Sequence, residues 1–472
     1  MTGPGTNPHD RGKGAGPLVP EREADSMGEV LSGDEEQRAT ISRRRFLSLA
    51  AAGVAAGGAA GMLGPVLWDQ LERAAAATTK PGNLGSSTGR TLVLVTLYGG
   101  NDGLNTVVPY KDPSYAASRG VLAIDPSTVL DLGNGFGLHA AMGQFHKLWT
   151  KGHLAIVQGV GFANPNYSHF ESMDIWQTAQ PSDPSGTGWL GRWMDKTGAD
   201  PLRAVAIGPT VPTLLSGEKV QAAAIAPGPI QLPGSSADVA LYRSMATTSH
   251  GEPTLLVDAA HSNADLLEVN DVLGPILNKT AHANPLKLTG AEAPDTAGSA
   301  GALAIANGGG GQSAANVLST QLSVVANLLL ADVPTEVFSV ELGGFDTHTD
   351  QINTQAALLP QLDTAVGAFL DAISTTKRGK ETVVLVYTEF GRRVSSNASA
   401  GTDHGWANVV FAAGQPVKGG FYGEPPSLTN LSEGNQIYNL DFRRVYATVL
   451  DQVIGVDAST FLGGKFSTVA FV

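Results

Sequence analysis

At 472 residues, with 42% hydrophobic and 15% charged side chains and a mean hydropathy of +0.01, the chain has a globular composition rather than that of a membrane bundle. A formal net charge of −13 argues against nucleic acid as a partner, because binding a phosphate backbone needs a cationic footprint. Cysteine is absent, which excludes disulfides, thiolate metal ligands and a thiol nucleophile.

Residues 1–77 read as an export leader. Ser42-Arg43-Arg44-Arg45-Phe46-Leu47-Ser48 fits a twin-arginine signal, a Gly-interrupted apolar stretch runs from Leu49 to Leu67, and Ala74–Ala77 offers a small-residue cleavage site. The polar segment before Ser42 is expected to be disordered, with Met1 or Met27 as the start. The mature chain, 78–472, is expected as one domain. It would meet the twin-arginine translocase during export, keep no stable membrane span, and work in the periplasm, cell envelope or extracellular medium.

Thr91–Leu97 is the first expected strand and delivers Asn101 and Asp102. A helical pattern around His139–Thr150 precedes a strand at Leu154–Val160 and the polar loop Asn164-Pro165-Asn166-Tyr167-Ser168-His169. Ala204–Ile207 is a short strand. An insertion at about 209–316 opens with a Pro/Gly/Ala-rich excursion to Pro253 and closes with a Gly-rich loop at Pro285–Ala315. Glu336–Leu342, Gln355–Ser374 and Thr382–Tyr387 form a βαβ unit, with Leu359, Leu362, Val366, Phe369 and Ile373 at helical spacing. Val409–Ala413 is a further strand. A closing amphipathic helix follows from Phe442 to Val453, capped by Asn439 or Asp441.

Near-continuous apolar strands imply a parallel sheet covered on both faces, whose ligands sit at the carboxyl ends of the strands. Asp346 and Glu389 should therefore share one rim, joined by Asp102 if the first strand runs parallel. In Gly343-Gly344-Phe345-Asp346-Thr347-His348, an Asp and a His two residues apart suit one cation. Asp403 of Gly401-Thr402-Asp403-His404-Gly405 is expected either to ligate metal or to orient His404. Glu389 is a further ligand, and Arg392 or Arg393 is expected to hold an anionic oxygen. Ser168 is the candidate nucleophile, its structural alternative being a helix cap. No G-x-S-x-G elbow supports a Ser-His-Asp hydrolase.

With these motifs in place, the chain resembles the bacterial, twin-arginine-exported family of unknown function 1501. The resemblance rests on Tyr98-Gly99-Gly100-Asn101-Asp102, Ser168-His169-Phe170, Gly188-Trp189-Leu190-Gly191-Arg192, Gly344–His348, Thr388–Arg392 and Asp403-His404-Gly405. It implies an alkaline phosphatase-like α/β domain, a doubly wound, mostly parallel sheet with helices on both faces, with one or two divalent ions (Zn, Mn, Ca or Mg), one on Asp102 and Glu389, the other on Asp346, His348 and His404. Phe390, where that superfamily commonly has histidine, weakens the first site. The implied activity is hydrolysis of a phosphate or sulfate ester, small or polymeric, with Ser168 or a water attacking. The rival is a non-catalytic member that binds an envelope polymer or a protein.

Overall fold

The computed structural model describes residues 90–198, 200–289 and 317–472. The expected leader and the Gly308–Gly311 run lie outside these residues.

Strands form where β-branched runs are uninterrupted: β1 Thr91–Leu97, β2 Leu154–Gly161, β3 Ala204–Ile207, β4 Ala223–Ile225, β5 Val337–Leu342, β6 Thr382–Thr388 and β7 Asn408–Ala413. Two short strands, β8 Gly420–Tyr422 and β9 Leu440–Asp441, complete a nine-stranded sheet. Its order is β8-β2-β7-β6-β1-β5-β3-β4, with β9 paired to β2. Every pairing is parallel except those of β7 with β2 and β6. β1 lies between β5 and β6, so all three end on one edge. The antiparallel β7 starts on that same edge.

Helices cover both faces, as the strand pattern requires. Val93, Val95 and Leu97 point into a core shared with α1 Gly143–Thr150, α4 Thr254–Thr280, α5 Val317–Leu330 and α6 Gln351–Ile373. Leu92 and Leu94 point the other way, toward α2 His169–Thr178, α3 Trp189–Thr197 and α7 Phe442–Thr448. Asp441 caps α7 by accepting the Arg443 N–H at 2.9 Å, and the closing helix continues as a π-helical segment, Val449–Ile454.

Among the described residues, α6 has the length and hydropathy of a membrane span, yet Leu359, Leu362, Val366, Phe369 and Ile373 are buried in the core. The insertion is more regular than expected. It holds the 27-residue α4, which runs through Pro275 and buries Val269, Leu273 and Leu277 against the rest of the core.

Candidate metal centre

Three strand-end loops and one helix start build the centre. After β5 the chain turns at Gly344, with φ of +100°, burying Phe345 and bringing Asp346 and His348 to the rim. Gly99, with φ of +115°, lets the β1 loop lie against this turn, since a Cβ there would stand 2.3 Å from the Asp346 backbone nitrogen. His404 comes from the loop entering β7. That loop is joined to the β6 loop by Gly405 N–H donating to Gly391 O at 2.7 Å and Arg393 N–H to Asp403 O at 3.0 Å. Thr402 N–H donates to Thr347 O at 3.0 Å, tying it to the β5 loop as well. His169 opens α2.

Three imidazoles converge on Asp346. Nε2 of His348 and Nε2 of His404 each lie 3.2 Å from Oδ1, and Nε2 of His169 lies 3.4 Å from Oδ2. The two Nε2 atoms of His348 and His404 are 2.9 Å apart. Behind each ring, Nδ1 faces an acceptor. That of His404 donates to the Tyr167 carbonyl at 2.7 Å, that of His169 donates to Glu389 at 2.7 Å, and that of His348 lies 3.5 Å from Asp403 Oδ1. A carbonyl only accepts, so His404 carries a hydrogen on Nδ1, and in the neutral ring Nε2 is then the atom with a lone pair to offer a cation. The Glu389 carboxylate imposes the same tautomer on His169.

Lone pairs gathered this closely repel one another unless a proton or a cation lies among them. Nε2 of His169 is also buried without a hydrogen-bond partner. Donor atoms about 2.0–2.1 Å from a tetrahedral ion stand about 3.3 Å apart, close to the separations here. Anchoring from behind, as seen for His169 and His404, is the arrangement that orients metal-bound histidines. Ligand atoms of His169, Asp346 and His404 all lie within 4.8 Å of one another, so these three fit a divalent cation, with His348 beside them.

Partial burial pushes the Asp346 carboxyl up, but hydrogen bonding and charge from Arg392 outweigh it and hold it at about 2. His169 is raised, first by its hydrogen bond to Glu389. Burial lowers His404, favouring the neutral ring that a ligand requires.

Several expected roles need correction. Asp102 reaches the rim but not the cluster. It is 1% exposed, paired with Arg119, and accepts from Gln351 and from the Leu104 N–H, capping a short helical turn. Glu389, expected to share an ion with Asp102, has its oxygens accepting from Gly99 N–H, Thr388 Oγ1 and His169. The Phe390 ring packs tilted against His169 and His404, with centroids 4.8 and 4.6 Å away.

Arg392 is turned inward onto protein acceptors. Its guanidinium is fully buried and bonded to carbonyls of Gly99, Gly100, Phe345 and Thr402 and to Asp346. Arg393, by contrast, keeps Nε without a partner. Asp403 faces His348 rather than His404. Ser168 caps α2, its hydroxyl accepting the Glu171 N–H at 3.4 Å, and among the described residues no hydrogen bond links it to an activating base. The residue not foreseen as a ligand is His169. The available signal was its place at the end of the loop following β2, on the same rim as the other loops.

The family model described as "Protein of unknown function (DUF1501)" matches residues 282–464, and a model described as "Ubiquitinol-cytochrome C reductase Fe-S subunit TAT signal" matches residues 33–72. The chain is thus exported by the twin-arginine pathway, which makes the translocase a partner. No curated protein matches it. Solved structures similar to the chain include the lipoteichoic acid synthase LtaP from Listeria monocytogenes, 8% identical with a TM-score of 0.34, the match covering 84% of this chain and 80% of that one. BT1596, a 2-O GAG sulfatase, is 10% identical with a TM-score of 0.29, covering 80% and 75%.

Proposed function

We propose that this exported DUF1501 chain is a hydrolase of phosphate or sulfate esters, working with one divalent cation held by Asp346, His169, His348 and His404. The observation that carries the reading is the convergence of three Nε2 atoms on one carboxylate, each ring backed by an acceptor at Nδ1. Three nitrogens and a carboxylate suit Zn or Mn better than Ca or Mg, which favour oxygen. Such an ion supplies Lewis-acid charge to an ester oxygen.

The chain's own groups do the rest. Arg392 keeps Asp346 ionised, and Glu389 fixes the His169 tautomer. Asp346 and His348 are 47% and 43% exposed, so the outer side of the cluster is open to an incoming anion. Arg393 is the remaining guanidinium for that anion. A water is the proposed nucleophile, since Ser168 serves as a helix cap. A second ion is disfavoured by Phe390 packed on the imidazoles and by the Asp102–Arg119 pair.

The test is turnover of aryl phosphates and aryl sulfates by folded, Zn- or Mn-loaded protein. Hydrolysis that falls at least about a hundredfold in both Asp346→Ala and His404→Ala supports the proposal. The binding-only reading is favoured by one observation, the burial of the Arg392 side chain among protein acceptors. Metal-loaded protein that is inert across the panel yet retains an envelope glycan establishes that reading instead.

A further inference from the structure

A cavity of about 400 Å³ opens beside the sheet edge, and none of Asp346, His169, His348 or His404 lines it. Its size lies within the range of small-molecule sites. Gln158, in β2, is 4% exposed and forms part of its wall. Among the described residues the Gln158 carboxamide has no hydrogen-bond partner, whereas buried amides are nearly always paired. Its neighbour in the wall shows the usual state. Asn408 donates to the carbonyls of Asn101 at 2.7 Å and Phe390 at 2.9 Å and accepts the Val409 N–H at 2.8 Å. An amide that faces a cavity and lacks a protein partner is free to bond a molecule from outside, whether water or a ligand that displaces it.

The rest of the lining says what kind of molecule. Asn134 and Gln436 add neutral donors and acceptors, while Phe136, Pro425 and Pro426 add flat apolar surface. Lys111 and Asp112 are adjacent charges of opposite sign, and the Arg392 side chain is buried and held by protein acceptors. An anion finds no free cationic fork here, and a cation finds no uncompensated carboxylate. Amides beside apolar faces match a ring with hydroxyls at its edge and C–H groups on its faces.

We propose that this cavity is a binding site for an uncharged sugar ring, separate from the metal centre. The inference does not rest on the hydrolase reading. The experiment is ligand-observed NMR titration of the full-length chain with glucose and N-acetylglucosamine, with glucose 6-phosphate as the charged comparison, before and after chelation. At least one neutral sugar should bind saturably, about tenfold or more tighter than the phosphate, with no effect of chelator. Gln158→Leu should weaken that binding at least about fivefold, the loss expected for a buried hydrogen bond. Thr429→Trp, an exposed change at the wall that leaves the core intact, should abolish it, and tests the site even if Gln158→Leu misfolds. Absence of binding by both sugars, preference for the phosphate, or affinity unchanged in Thr429→Trp overturns the proposal. Because the readout survives chelation, failure here and failure of the metal centre are distinguishable.

Discussion

Nη2 of Arg392 lies 2.7 Å from Oδ1 of Asp346, joining a fully buried cation to the carboxylate on which three imidazoles converge. The same guanidinium crosses the β1, β5 and β7 loops through their carbonyls, so it is both the charge partner of Asp346 and the clamp that holds the rim loops in register.

Removing this clamp should unfold the rim. Arg392→Met leaves buried carbonyls and Asp346 without their donors and is expected to cost about 3 kcal/mol or more, measured by chemical denaturation. Arg392→Lys should recover little, since an ammonium cannot reproduce a planar fork. A loss below about 1 kcal/mol in Arg392→Met would show that the clamp is not structural.

Glu389 acts on the centre through His169. Glu389→Gln keeps the shape but loses the charge that holds Nδ1–H, so metal affinity should fall about 10–100-fold, as for other residues that orient a ligand from behind. Competition with a chromogenic chelator measures this. Unchanged affinity would remove His169 from the set of ligands.

Asp102 separates the present geometry from the motif-based expectation. Its salt bridge with Arg119 is buried on both sides, so Asp102→Ala should cost about 3–5 kcal/mol by stranding the arginine. In protein that still folds under mild conditions, metal content should stay at its wild-type value. A loss of bound metal in such folded protein would restore Asp102 as a ligand.

The difference between Asp102 and Asp346 marks how far the sequence could be read. Both follow apolar strands and both reach the predicted rim, because continuous runs such as Leu92–Leu97 and Val337–Leu342 define parallel strands almost to the residue. What separates them is the partner. Arg119 lies on a short helix 17 positions beyond Asp102, and Arg392 sits 46 positions beyond Asp346, with no local pattern announcing either pairing. His169 was hidden for a similar reason, since its role depends on α2 packing so that its first residue meets loops far along the chain. The regular α4 was masked by Pro275 and by an apolar stripe diluted with polar residues, where tertiary packing overrode weak local preference.

Asp363 supplies a pH signature away from the centre. It is buried on α6 and accepts the N–H groups of Gln144 and Phe145 at 2.9 and 2.8 Å, capping α1. Burial raises its carboxyl to about 6, and the two N–H donors only partly offset that rise. A raised folded value means that the native state keeps the proton longer than the unfolded chain. The contribution is fully present below about pH 4 and is lost as pH rises through about 6. Wild-type stability relative to Asp363→Asn should therefore decline across that window, by up to about 3 kcal/mol, in denaturation curves taken at several pH values. A difference independent of pH would show that Asp363 does not titrate there.

The central claim is that Asp346 and the imidazoles of His169, His348 and His404 hold a single ion. Elemental analysis of folded protein loaded with Zn or Mn and then desalted tests it most directly, with the Asp346→Ala and His404→Ala variants alongside. One equivalent per chain, absent from both variants, is the predicted result. A substoichiometric trace in the parent protein, or a full equivalent retained by the variants, would contradict it.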